Sequence, residues 1–362
     1  MGNNGVPPLF TTISTSIRTG LWFTLLIVMA ATSLLIVALT VSSREAVAPG
    51  TDAGRMAFSF VIFLVLVATL LGTPTVFISI RERLGQLSFL HTFLLTVAVG
   101  LSFVVVAVPA MLWAVLSTGV SADVWLPTLA TATLEVWAIA LLVAASHWAL
   151  TSASVATVTA FGLIAGITLG PVLVVATASF APPITQSTKT YFIKWDDPNE
   201  PMDPETGYPL NPVCEKSPVT STTMLTDYTN VSAIIATTPL AFISASITPA
   251  IGDYGMPGYE GQGFESTVPT MPAVPVPLDL FSAIDVASRS LQIPVQTDPI
   301  IVDECANLAE FGTPYPNNGE VDPRDVIAET RSGFVAGAIG QAAFLATALG
   351  ALVGVRARTR RS

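Results

Sequence analysis

Charge is what this sequence has least of. Only 11% of its 362 residues are Asp, Glu, Lys or Arg, while 51% are apolar. A soluble globular domain carries about 25% charged residues, so an ordinary soluble fold is excluded. Histidine, cysteine and lysine are nearly missing too. There are two His (His91, His147), two Cys (Cys214, Cys305) and three Lys (Lys189, Lys194, Lys216). Two distant histidines are too few for the usual zinc sites, and no metal site is assigned. A phosphate-cradling loop of the Walker A type needs Gly-Lys-[Ser/Thr], and none of the three lysines follows a Gly. No nucleophile–base constellation is present either, so no catalytic residue is assigned and the chain reads as a non-enzyme. Basic residues form no patch beyond a short tail, Arg356 to Ser362, which argues against nucleic acid as a partner.

What is present is a set of membrane-length apolar runs. They cover Trp22 to about Val41, Met56 to Ile80, Phe89 to Leu116, Trp125 to about Trp148, Val155 to about Ala178, and Gly333 to Val355. Pro74 and Pro109 lie inside the second and third. Residues 1–20 read as an amphipathic segment, with Leu9, Ile13, Ile17 and Leu21 at four-residue spacing. A frayed start of the first span explains that spacing equally well. Ala46-Val47-Ala48 resembles a signal-peptidase site. The run before it exceeds a typical signal core of about 7–15 residues, so an uncleaved helix is expected.

Residues 180–330 differ in kind. They hold 20 of the 27 prolines, both cysteines, and, from 181 to 330, 20 acids against 5 bases. No stretch there is apolar and long enough to span. Val231 to Ile247 comes nearest, with a central Pro239, and is expected to pack on the membrane face or the domain core, with a re-entrant segment as the lesser reading. Thr190–Lys194 and Ile300–Val302 read as strands, and Leu278–Leu291 as helix. The acidic run Trp195 to Gly207 lacks EF-hand spacing and reads as a solvated proline-rich loop.

The fold class expected is therefore an all-α polytopic membrane bundle of six transmembrane helices. A Pro-rich mixed α/β extracytoplasmic domain is inserted between helices five and six. The divisions are 1–20 (cytoplasmic amphipathic segment), 21–179 (five helices), 180–330 (acidic domain), 331–355 (sixth helix) and 356–362 (basic cytoplasmic tail). The excess of arginine on one side sets the orientation. Arg18, Arg81, Arg83, Arg356, Arg358, Arg360 and Arg361 fall inside if both termini are cytoplasmic. Cys214 and Cys305 then lie in an oxidising compartment, where a disulfide between them is expected. The location expected is the plasma membrane, with the lipid bilayer as the first partner.

Glu135 is the one acid deep inside a run, near the middle of the fourth. Such groups face a bundle interior or a water-filled path. It reads as a hydrogen-bonded carboxyl that locks helices together, with a substrate-path or proton-coupled role as the other reading. Gly162, Gly166 and Gly170 in the fifth run, and Gly333, Gly337, Gly350 and Gly354 in the sixth, recur at four-residue spacing and let helix backbones approach closely.

The stretch Ile80-Arg-Glu-Arg-Leu-Gly-Gln-Leu-Ser-Phe-Leu90 is the charged break between the second and third runs. It resembles the permease subunits of type-2 ABC exporters, the ABC-2 membrane superfamily. There a charged cluster ends the second span, followed by Gly-Thr-Leu and a short apolar helix. Arg81, Glu82, Arg83, Gly85, Gln86, Leu87 and Leu90 stand in that place here, with Gln86 where the family has Thr. Pro109 within Val-Pro-Ala-Met-Leu-Trp, the following Gly119-Val-Ser, and the small-residue turn from Ser146 to Thr157 are also similar. The resemblance implies that Arg81 to Phe93 form a coupling helix docking on a separate ABC ATP-binding subunit. It implies further that ATP and Mg are held by that partner, that this chain needs no cofactor, and that a second permease chain completes the path. The competing expectation is a non-transporting membrane protein whose outer domain binds an envelope component or partner protein. A secondary transporter is disfavoured by the single buried acid and the absence of an inverted repeat.

Overall fold

In a computed structural model, the residues described are 20–42, 53–84, 87–194, 201–202, 208, 210, 213–254, 274–311 and 322–360. Most of the amphipathic segment 1–20, the residues Gly85 and Gln86, most of the acidic run after Trp195, and Arg361 lie outside them.

Five long helices come first: α1 (Gly20–Ser42), α2 (Ala53–Leu84), α3 (Phe89–Thr118), α4 (Ala122–Ala149) and α5 (Ala153–Ala178). A sixth, α11 (Phe334–Thr359), follows the inserted region. All six are long and apolar enough to cross a membrane. Their ends are set by local chemistry. The Ser88 side chain caps α3 by accepting from the His91 N–H, and Ser152 caps α5 by accepting from Val155 N–H. Gly119, at φ 73°, closes α3 in the left-handed conformation, which suits a residue without Cβ. Hydroxyls inside the helices donate to carbonyls one turn back, as Thr69 does to Val65, Thr128 to Val124 and Ser146 to Leu142. That pairing is how polar atoms stay satisfied where no water reaches.

The bundle core lies between α2, α3 and α4, where Ile62, Phe77, Ile80, Leu95, Phe103, Ile139 and Leu142 are buried. Helix α1 packs on α2 and α3, and α11 on α4. The outer faces of α1, α5 and α11 expose large apolar side chains, among them Phe23, Leu35, Val158, Leu173, Val335 and Ile339. Contiguous exposed apolar area on this scale marks a lipid or partner surface.

The inserted region is a small mixed structure. Strand β1 (Ile184–Tyr191) sits centrally in a three-stranded sheet. It pairs antiparallel with β4 (Val219–Leu225), Ile184 opposite Leu225, and parallel with β7 (Ile300–Asp303), Thr188 opposite Ile300. Two further pairs form, β2 (Ile193–Lys194) with β3 (Val213–Cys214) and β5 (Ile251–Tyr254) with β6 (Val274–Pro277). Short helices α6 (Ser232–Ile235), α7 (Pro239–Ser244), α8 (Leu280–Ser290), α9 (Glu304–Phe311) and α10 (Pro323–Glu329) complete it. The expected strands near 190–194 and 300–302 and the helix near 278–291 are present, while β4, rich in Ser and Thr, was not expected.

Cys214 and Cys305 form the expected disulfide, tying the end of β3 to α9 with Cα atoms 6.2 Å apart and a sequence separation of 91. Closing a loop of that length removes unfolded-state entropy worth about 4–5 kcal/mol in the chain-entropy model. Beside it, buried Glu304 accepts from the Ile193 N–H at 2.9 Å. The region is also tied to the bundle. Asp279 caps α8 and accepts from Arg55 of α2 at 2.8 Å, and the Leu280 N–H donates to Ser59. On α8 itself, burial raises the Asp285 carboxyl above the usual range, an effect that Arg289 at 2.7 Å offsets only in part.

Candidate functional site

Two polar clusters interrupt the apolar bundle. The first surrounds Glu135, about 20 Å along α4 from either end at ~1.5 Å per residue. Its side chain is 1% exposed. Oε1 accepts from Gln341 of α11 at 2.5 Å, and Oε2 is buried with no hydrogen-bond partner among the described residues. The same Gln341 amide donates to the Thr237 carbonyl at 3.3 Å. Thr237 belongs to the segment Val231 to Ile247, for which packing on the membrane face or the domain core is expected, with a re-entrant segment as the lesser reading. Pro239 breaks the segment into α6 and α7, taking the first-turn position of α7, where its missing N–H costs nothing. The two short helices then pack on α8 of the inserted region, in line with the domain-core expectation, and on the long helices α4, α5 and α11 as well. The Thr131 and Ser246 hydroxyl oxygens meet at 3.3 Å, and Phe242 stacks on Phe334 with ring centroids 4.9 Å apart.

Glycines make this seat. A Cβ at Gly333 would stand 2.7 Å from Ala236 Cβ, and one at Gly340 2.2 Å from Thr237 Cγ2. At Gly337 it would stand 2.4 Å from the Ala236 carbonyl oxygen, which cannot swing aside as a side chain can. Gly333 and Gly337 therefore admit the α6–α7 segment rather than a neighbouring long helix. A Cβ at Gly166 would stand 3.2 Å from Phe344 Cζ of α11, while one at Gly162, Gly170, Gly350 or Gly354 would meet nothing within 4 Å among the described residues. Gly337→Ala is expected to destabilise the protein by about 1–2 kcal/mol through overpacking against backbone. Gly162→Ala and Gly170→Ala should be neutral or slightly stabilising, as Ala is the better helix former. Thermal denaturation of the three purified variants in one detergent separates these outcomes.

The second cluster lies where α2 and α4 end. The resemblance implies a coupling helix from Arg81 to Phe93, a stretch in which Gly85 and Gln86 lie outside the described residues. Helix α2 continues through Leu84 and α3 begins at Phe89, so among the described residues no separate helix stands between them. Arg81 does not project outward. It is 6% exposed and turns inward, donating to the Leu150 and Thr151 carbonyls at 2.7 and 2.8 Å and to His147 Nδ1 at 2.9 Å. A guanidinium only donates, so His147 Nδ1 must accept. That fixes the Nε2–H tautomer, which donates to Thr157 at 3.3 Å. Phe77 meets the His147 ring edge-on at 4.8 Å. From the other side Arg356 of α11 bonds the Trp148 carbonyl and lies 4.0 Å over the Trp148 ring. Two cations thus grip the C-terminal carbonyls of α4, where the helix dipole is negative. Glu82 and Leu90 are exposed and Leu87 packs at the core's edge. Gly85 and Gln86 lie outside the described residues, as does the Arg83 side chain.

Comparison with family models, with curated proteins and with solved structures finds no match to this chain. The site is therefore read from its own chemistry. Among the described residues no three His, Cys, Asp or Glu side chains converge as metal ligands do. The Glu135 cluster supplies a desolvated carboxyl with one oxygen free to take a proton. The Arg81 cluster supplies mechanical linkage. Glu135 is legible in the sequence as a lone acid, while Gln341 and Thr237 are not, because the donor to Glu135 is a neutral amide that also bonds a backbone carbonyl, rather than a second charge. A lone Gln within the apolar run of α11 was the available signal.

Proposed function

We propose that this chain is the membrane-spanning permease subunit of an ATP-driven exporter of the type-2 ABC class. It forms the translocation path with a second permease chain and couples to a separate ATP-binding subunit, which holds ATP and Mg. The observation that carries this reading is the double grip on the α4–α5 turn. Arg81 ties the end of α2 to Leu150 and Thr151, and Arg356 ties the end of α11 to Trp148. A load applied at the exposed Glu82 and Leu90 is therefore shared by α2, α3, α4 and α11, as a shift between inward and outward access requires. The order of parts, five long helices, an inserted domain and a sixth helix, agrees with the resemblance. In this reading the grip faces the cytoplasm, in keeping with the arginine bias. The disulfide-bearing domain faces outward, where disulfides persist. The open faces of α5 at Gly162 and Gly170 serve the second chain.

Affinity purification of the tagged chain from its native membrane tests this. The expected result is a co-purifying polypeptide with a Walker A sequence and Mg-dependent ATP hydrolysis. In intact cells, an impermeant maleimide applied after an impermeant reductant should label Cys214 and Cys305. A folded chain that brings down no ATPase, or cysteines reached only after the cells are opened, overturns the reading.

A further inference from the structure

The inserted region holds a groove of about 640 Å³, within the ~300–1,000 Å³ of pockets that bury a drug-sized molecule. One wall is the three-stranded sheet, contributing Gln186, Leu225 and Ile300. The other is α8 with the chain that follows it, contributing Val286, Leu291 and Ile293. Three features decide what it takes. First, the body of the lining is aliphatic, and the polar groups on it are neutral amides and hydroxyls, those of Gln186, Gln296, Tyr228, Thr226 and Ser290. Second, among the described residues no carboxylate or cation lines it, although residues 181–330 carry 20 acids. The charged groups on α8, Asp285 and Arg289, pair with each other at 2.7 Å, and Arg289 is turned toward the Thr330 carbonyl. Third, the groove is anchored at the ends of two membrane-length helices. Tyr228, in its lining, bonds Ser179 just past α5 at 2.8 Å. Gln292, within the segment that forms one wall, exchanges two bonds with the Arg331 backbone at 2.9 and 3.2 Å, three residues before α11.

We propose that this groove is a binding site for an uncharged amphiphile, an aliphatic chain carrying a hydroxyl or amide head, taken up from the bilayer surface at the ends of α5 and α11. The aliphatic lining receives the chain, and Tyr228, Gln186 and Gln296 offer donors and acceptors to the head. A charged head would enter with no counter-ion, leaving an unpaired charge at a partly desolvated site. The proposal does not depend on the exporter reading, since a site here serves a transporter or a binding protein alike.

The test uses the full chain in nanodiscs of a zwitterionic lipid, with two photoreactive probes of equal chain length, a diazirine monoacylglycerol and the corresponding fatty acid. The monoacylglycerol should label peptides covering residues 219–228 and 284–300, and unlabelled monoacylglycerol should compete. Labelling by the ionised fatty acid should be about tenfold weaker, a difference of about 1.4 kcal/mol. Val286→Trp, which fills the groove, should reduce the adduct about tenfold. Ser290→Trp, at an exposed rim position, should do likewise where Val286→Trp fails to form the Cys214–Cys305 disulfide. Adducts confined to the lipid-facing long helices, equal labelling by the fatty acid, or labelling undiminished by a disulfide-competent Trp variant would each overturn the proposal.

Discussion

Gln341→Leu is expected to destabilise the bundle by about 3 kcal/mol. Two acceptors lose their donor at once, the buried Glu135 Oε1 and the half-buried Thr237 carbonyl, and a stranded buried polar group costs about 1–3 kcal/mol. Glu135→Gln should cost little or nothing, because an amide oxygen accepts from Gln341 as the carboxyl does. Among the described residues Oε2 has no partner to lose. Glu135→Leu combined with Gln341→Leu should recover part of the loss of Gln341→Leu alone, since removing both members of a buried pair is cheaper than orphaning one. Heat stability of the purified variants gives this cycle directly. Activity then separates the two roles open to Glu135. A helix tie predicts that Glu135→Gln works as well as the parent. A group that must take and release a proton predicts a stable but inactive Glu135→Gln.

Arg81→Ala is expected to have a comparable effect on stability, about 2–3 kcal/mol, because hydrogen bonds to charged donors are the stronger kind. The Leu150 and Thr151 carbonyls and His147 Nδ1 all lose their donor. Arg81→Lys should rescue only part of this, since a single ammonium does not reproduce the planar fork that spans three acceptors. Under the exporter reading, Arg81→Ala should also uncouple ATP hydrolysis from transport while the α2–α3 connection itself stays unmutated. Stability and coupling are read on the same preparation. A variant that is destabilised yet fully coupled would leave Arg81 as an anchor only.

How legible all this was in the sequence depended on the range of the interaction. The six long helices follow from apolar runs, a property of contiguous residues, and their observed ends lie within a few residues of the expected ones. The overshoot of α2 to Leu84 has a definite cause. Arg81 reads as a charge that must leave the hydrocarbon, yet backbone carbonyls from the α4–α5 turn receive it 69 and 70 residues away. No local pattern encodes that. Pro239 was visible as a break in an apolar stretch, but whether the broken halves lie on a surface or inside depends on the glycines of α11, some 100 residues later. The disulfide was legible because two cysteines allow one pairing. Strand β4 was hidden because a run of Ser and Thr without alternation carries no period-two signal.

The Gly-lined seat on α11 has a consequence for biogenesis. Gln341 is 206 residues downstream of Glu135, and ribosomes add about 5–20 residues per second. For about 10–40 s after α4 is made, its carboxyl has no Gln341, and the α6–α7 segment has no glycine face to settle on. The first five helices must therefore wait, inserted but with their middle unsealed, until α11 enters the bilayer. The Glu135 carboxyl gains its Gln341 donor only when α11 has joined the first five helices.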